Sequence, residues 1–217
     1  MSMTLDDIRN QEIIGILENV YQGEGSALNY ASPFQLLVAV ILSAQTNDNQ
    51  VNRITDTLFQ RFSDAPAFAA LQEDELIPYI NSCGLYKNKA KHIIAMARII
   101  CEHYGGQVPA DKEKLTTLPG VGGKTANVVL SQAFGLPALA VDTHVFRVAR
   151  RLGLAQGKTP PMVERELCAL LPQEKWGQAH HWLIWHGRRV CHAKKPRCFT
   201  CTMNELCVFA GKTPINA

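Results

Sequence analysis

Apolar positions recur with a helical period along nearly the whole chain. Ile13, Ile16, Leu17 and Val20 follow the i, i+3, i+4, i+7 spacing of one helix face, with Thr4 or Asp6 placed to cap it. Ser32-Pro33 opens a stretch that is apolar all round, from Phe34 through Leu42, which belongs in the centre of a helical bundle. Asp48 starts a helix that buries Val51, Ile54 and Leu58. Lys87 to Tyr104 buries Ile93, Ile94, Ala97 and Ile100 and stops at Gly105-Gly106. Further helices are predicted at Lys124 to Phe134, Thr143 to Leu152, Pro161 to Leu171 and Glu174 to Val190, with a polar, helix-like stretch over Asp111 to Thr117. Ala138 to Val141 is the best strand candidate and is too short to build a sheet. The expected fold class is all-α, without internal repeats or low-complexity tracts.

Composition narrows the class. With 217 residues, 47% hydrophobic and 19% charged, the chain is too apolar for disorder and long enough for one large domain or two small ones. Its longest apolar run, Leu36 to Leu42, is far below the ~18 residues of a membrane span. The stretch MSMTLDDIRN does not read as a secretory signal. The net charge of +3 conceals an asymmetry: residues 1–80 hold 3 Lys/Arg and 11 Asp/Glu, net −8, leaving net +11 for residues 81–217. A basic half of this kind is a footprint for a polyanion or simply a solvated face.

Four of the seven cysteines, Cys191, Cys198, Cys201 and Cys207, form a C-x6-C-x2-C-x5-C array within 17 residues. A disulfide framework would not be spaced this way, so the array points to a reducing compartment and a metal centre. Zinc usually takes two separated ligand pairs, whereas one pair flanked by two single cysteines suits a 4Fe-4S cubane; spacing alone leaves both open. Cys83, Cys101 and Cys168 sit in apolar helical settings and read as packing residues. Lys194, Lys195 and Arg197 lie between the first two cysteines, behind Arg188 and Arg189, with no acid from Arg188 to Arg197. A metal-pinned loop would present these cations to phosphates at reduced entropic cost.

The segment Leu118-Pro119-Gly120-Val121-Gly122-Gly123-Lys124-Thr125 is not a P-loop, because Leu118 stands where the first glycine is needed and no strand precedes it. It fits a helix-hairpin-helix, in which Gly120 and Gly122 are expected to take backbone conformations closed to other residues, and free N–H groups around Val121 form an anion site indifferent to base sequence. Lys124 falls at a helix N-terminus, where the dipole favours the neutral amine that a Schiff base needs. Asp142 opens the next helix in Val141-Asp142-Thr143-His144, as an N-cap, a catalytic carboxylate, or both.

Taken together, Ser43-Ala44-Gln45, Gly84-Leu85-Tyr86, the hairpin, Val141-Asp142-Thr143-His144 and the four cysteines resemble the endonuclease III family of base-excision DNA glycosylases, over essentially the whole chain. The resemblance implies two helical domains with a DNA-binding cleft between them. One is a six-helix domain with the hairpin at residues 26–136; the other is a discontinuous iron–sulfur domain at residues 1–25 and 137–217, holding one 4Fe-4S cluster on the four cysteines. It implies a monomeric, cytoplasmic, nucleoid-associated, prokaryotic-type DNA glycosylase/AP lyase of base excision repair. Its partner would be double-stranded DNA with a damaged pyrimidine or abasic site, and no membrane. Lys124 would be the nucleophile and Asp142 the charge-stabilising partner. Gln45 and Leu85 would fill the gap left by a flipped base, and His144 would lie near the DNA backbone. Two departures stand out: Gly123 where relatives commonly carry a basic residue, and Asn47 in place of a usual threonine. Rival readings are the adenine glycosylase branch and mismatch-thymine glycosylases, where Lys124 would be replaced, and a non-catalytic cluster-bearing DNA-binding or redox-sensing protein.

Overall fold

The computed structural model describes residues 4–214, and among them every regular element is helical. The chain divides into two compact units, one of residues 26–136 and one of residues 1–25 with 137–217. Neither inherits the charge contrast of the linear halves. The 26–136 unit carries 9 Lys/Arg and 9 Asp/Glu, and the other carries 13 and 10, net +3. The boundary at residue 80 falls inside the first unit, so "acidic half" and "basic half" are not bodies in space.

The 26–136 unit is built from α2 (Pro33–Ser43), α3 (Asp48–Arg61), α4 (Ala65–Ala69), α5 (Glu73–Ile80), α6 (Tyr86–Tyr104), α7 (Lys112–Thr117) and α8 (Gly123–Phe134). Ser32 caps α2, its hydroxyl accepting from Gln35 N, with Pro33 at the first helical position. Phe34 and every residue from Leu36 to Leu42 are buried, so α2 is the central helix its all-round apolar pattern required. It packs on α3, α6 and α8. Asn47 caps α3, its Oδ1 accepting from Gln50 N at 2.9 Å; asparagine caps at least as well as threonine, so this departure leaves the helix start intact. The short helices α4 and α5 were not anticipated. Each has too few turns to show a period, and Pro78 lies inside α5.

The second unit joins α1 (Leu5–Val20) to α9 (Thr143–Leu152), α10 (Pro160–Leu170) and α11 (Trp176–Arg189), with 3-10 turns at Gln173–Lys175 and Cys198–Thr200. Thr4 and Asp7 form a reciprocal capping box at the start of α1. Ile13, Leu17 and Tyr21 bury against Val145, Val148, Leu152, Val163, Leu167, Trp182 and Leu183. Lys175 Nζ meets Glu18 Oε2 at 2.7 Å, and Arg189 meets Glu24 at 2.5 Å, tying the first segment to the last. Gly187 permits the close approach of α9 to α11: a Cβ there would lie 3.1 Å from both His144 Cβ and Arg147 Nη2. Ala138 to Val141 is a buried connection and forms no strand; His180 Nδ1 meets Ala140 O at 2.7 Å. No helix of the described residues is long and apolar enough to cross a membrane.

Candidate functional site

The hairpin is the turn from α7 to α8. Leu118 O accepts from Val121 N at 3.1 Å, and the Leu118 and Val121 side chains are buried, anchoring the turn in the core. Val121 thus closes the turn rather than offering a free donor. Gly120 has φ +79°, and a Cβ there would lie 3.0 Å from His92 Cβ, so position 120 needs glycine both for backbone and for space. Gly122 does not share that need: its φ of −95° and ψ of 176° suit any residue, and a Cβ at 122 or 123 meets nothing within 4 Å. The expectation that Gly122 requires a glycine-only conformation is therefore corrected. What Gly122 does provide is the absence of a capping side chain, which leaves the first N–H groups of α8 to an external acceptor. Lys124 stands in that first turn, exposed to solvent.

Asp142 is the N-cap of α9, and its Oδ1 accepts from Val145 N at 2.8 Å. The carboxylate thus has one oxygen engaged by the backbone and remains half-buried. His144, two residues on, is half-buried, and burial lowers its pKa despite the nearby Asp142 carboxylate. Its Nδ1 lies 3.1 Å from Arg147 Nη2, and the Arg147 guanidinium also donates to Gly187 O and Cys191 O. His144 is thus part of the α9–α11 seam rather than a free surface histidine.

Gln45 and Leu85 occupy two loops with a shared peculiarity. Their φ angles are +57° and +59°, and with Lys195 they are the non-glycine residues of positive φ among those described. Both are exposed, Leu85 by 57% of its surface, so Leu85 is not a core residue. The loops abut: a Cβ on Gly84 would sit 3.3 Å from Gln45 O. Lys89 lies beneath them. It is 4% exposed, and its Nζ donates to Leu42 O at 2.8 Å, Ala44 O at 2.6 Å and Thr46 Oγ1 at 3.2 Å. Sequence reasoning passed over it as one of several lysines on α6, and only burial distinguishes it.

The four C-terminal cysteines line one cavity together with Arg151, Leu152, His186, Val190, Pro196, Asn204 and Phe209. Each is half-buried. Burial pushes the Cys201 and Cys207 thiols up, and nearby cysteines of the array push both in the same direction. Nitrogen atoms approach two of the sulfurs: Arg151 Nη1 donates to Cys191 Sγ at 3.5 Å, and His186 Nε2 lies 3.8 Å from Cys201 Sγ. Tyr21 Oη holds the other nitrogen of His186 at 2.9 Å. Arg151 stacks on Phe209 at 4.3 Å and donates to His192 O and Ala193 O, binding the loop to α9. Thr213 Oγ1 donates to Pro196 O, closing the segment on itself. Lys194, Lys195 and Arg197 are all exposed on this loop, Lys195 at φ +50°. Arg189, by contrast, is spent on Glu24 and on the Trp185 ring.

Residues 38–173 match the profile of the HhH-GPD superfamily of base excision DNA repair proteins. Endonuclease III of Rickettsia felis is 51% identical over 183 residues, covering 84% of this chain and 85% of its own. The chain belongs to the endonuclease III family. Endonuclease III of Escherichia coli K12 is 47% identical over 188 residues, covering 87% and 89% of the two chains. A solved endonuclease III trapped as a covalent intermediate with DNA, an estranged-adenine complex, superimposes with a TM-score of 0.90. It shares 39% identity over 95% of this chain and 97% of its own. A thermostable thymine-DNA glycosylase, 23% identical with a TM-score of 0.86, shares the fold. The superfamily match spans Gln45, Leu85, the hairpin and Asp142, and ends before the cysteines.

Proposed function

We propose that this chain removes oxidised pyrimidines from duplex DNA and cleaves the strand at the resulting abasic site, as a bifunctional DNA glycosylase/AP lyase of base excision repair. Membership of the endonuclease III family carries this reading, and Lys124 in the uncapped first turn of α8 gives it chemistry. The damaged nucleotide is turned out of the stack, which costs a few kcal/mol and is easiest at a damaged pair. The uncapped N–H groups of α8 hold a DNA phosphate without reading bases, and Lys194, Lys195 and Arg197 supply exposed cations for others. The Lys124 nitrogen forms a bond to C1′ of deoxyribose as the bond from C1′ to the base breaks, its electron pair leaving with the base. Loss of the amine proton and opening of the sugar give an iminium. The iminium acidifies the C2′ proton; its removal expels the 3′ phosphate by β-elimination. Asp142, with one oxygen held by Val145 N, stabilises positive charge on the sugar and assists these proton transfers.

Cys191, Cys198, Cys201 and Cys207 are proposed to hold one 4Fe-4S cluster. The donor set fits: four thiols facing one cavity repel each other as thiolates unless a cationic centre neutralises them. Among the described residues no three His, Cys, Asp or Glu groups are placed to hold a metal ion. The cluster supplies a rigid cross-link for the loop bearing the exposed cations. The protein is read as a monomer acting on the nucleoid in a prokaryotic-type cytoplasm.

Borohydride trapping across a panel of lesion-bearing duplexes tests the reading. Covalent complexes are expected with oxidised pyrimidines and abasic sites. Lys124→Gln should abolish trapping with DNA affinity within about threefold of wild type, and trapping that survives means another amine attacks.

A further inference from the structure

Among the described residues Lys89 is the only buried lysine or arginine, and a core position would ordinarily go to an apolar side chain. Its ammonium has three acceptors, matching its three N–H groups. Leu42 O and Ala44 O lie at the C-terminal end of α2, where the helix dipole favours a cation. Burial lowers the Lys89 pKa, and the three bonds offset that desolvation.

The position of these acceptors matters more than their number. Ala44 O and Thr46 Oγ1 flank Gln45 on either side. The Lys89 backbone N–H donates to Leu85 O at 3.1 Å, closing the first turn of α6. One residue is therefore bonded to both loops whose tips are Gln45 and Leu85, and both tips hold left-handed backbones. Each such conformation is disfavoured for a residue with a Cβ. Strain of this kind persists only where the surroundings over-determine it.

We propose that Lys89 is a positioning residue that locks the Gln45 and Leu85 loops into a single rigid wedge, which fills the duplex gap when a nucleotide is extruded. This rests on the reading that Gln45 and Leu85 fill that gap. Without Lys89 the Ala44–Gln45–Thr46 loop relaxes toward ordinary φ, the tips separate, and extrusion loses its support. Chemistry on an abasic site, where no base must be displaced, is affected far less.

The experiment uses duplexes carrying 2-aminopurine opposite an oxidised pyrimidine, so that its fluorescence reports unstacking, together with single-turnover excision and strand cleavage at a preformed abasic site. For Lys89→Met the expected result is at least a tenfold loss of excision rate and a reduced fluorescence rise, with abasic-site cleavage within threefold. Folded Lys89→Met with wild-type fluorescence and excision overturns the proposal. If Lys89→Met does not fold, Thr46→Val decides, since it removes one acceptor from the half-buried loop. A two- to fivefold loss of excision with abasic-site cleavage unchanged supports the lock, and wild-type behaviour overturns it. Gln45→Ala/Leu85→Ala separates the two levels: if this variant extrudes normally, the gap-filling reading itself fails. If it is defective while Lys89→Met is normal, only the lock fails.

Discussion

The two compact units hold their shape by different means. The 26–136 unit buries an almost wholly apolar interior around α2, with Thr55, Lys89 and Asn127 as its buried polar residues. The other unit packs α1 on α9–α11, but its closing stretch, residues 190–214, contains one three-residue 3-10 turn as its only regular element. Four thiols, a stacked arginine and a Tyr–His pair hold that stretch where helices hold the rest. Apolar burial thus dominates the first unit, whereas side-chain contacts and the proposed cysteine site hold the closing stretch of the second.

The largest expected break in that contrast is Cys198→Ser. With the proposed 4Fe-4S cluster the wild-type protein should be brown; the variant should lose that absorption and residues 190–214 should become protease-sensitive, because metal-coupled folding is worth on the order of 10 kcal/mol in small metal-bound elements. The 26–136 unit should keep its own cooperative unfolding. Simultaneous melting of both units would deny the division of labour, and a colourless zinc-containing protein would refute the iron assignment. At the start of α9, Asp142→Asn keeps a capping oxygen and removes the charge. Turnover should fall by at least tenfold with the unfolding temperature nearly unchanged. Asp142→Ala should also lose the cap, about 1 kcal/mol of stability. Equal turnover for Asp142→Asn and wild type would leave the residue a cap and nothing more.

In the hairpin, Gly120→Ala forces a Cβ into a left-handed backbone beside His92 and should destabilise by about 1–2 kcal/mol. Gly122→Ala has no such conflict and should be neutral within about 0.5 kcal/mol; equal losses in denaturant titrations would show that both glycines are needed. A separate effect concerns acid. His181 is held at a pKa of about 4 by burial, aided by His180 and Arg188. An unfolded histidine takes up its proton near pH 6.5 while the folded one stays neutral, so stability should decline as pH falls from about 6.5 toward 4. His181→Gln should flatten that slope by up to one proton, and an unchanged slope would place the linkage elsewhere.

Helix faces with three or more turns were legible from spacing. The all-round apolar run of α2 and the caps at Ser32 and Asp142 stand where local chemistry put them. Helices α4 and α5 were not legible, because elements of five and eight residues give too few repeats for a period to emerge. The chemistry divides the same way. A lysine after a glycine-rich turn and four crowded cysteines announce themselves along the chain. Lys89 does not: it shares the apolar face of Ile93, Ala97 and Ile100, unlike Lys87 and Lys91, but nothing local supplies acceptors for its ammonium. Its burial depends on two carbonyls and a hydroxyl 43 to 47 residues away, and Arg151 escaped notice for the same reason.

The discontinuity of the second unit bears on how the molecule is made. Helix α1 leaves the ribosome before the 26–136 unit, yet Ile13, Leu17 and Tyr21 find their apolar partners in residues beyond 137. The 26–136 unit is contiguous and can fold as soon as it is extruded. During the ~4–16 s that translation takes to add 81 more residues, at ~5–20 residues per second, α1 carries an unpartnered oily stripe on a nascent chain. That interval is when a holdase would find most to grip, and the proposed cysteine site cannot be complete until Cys207 has been added.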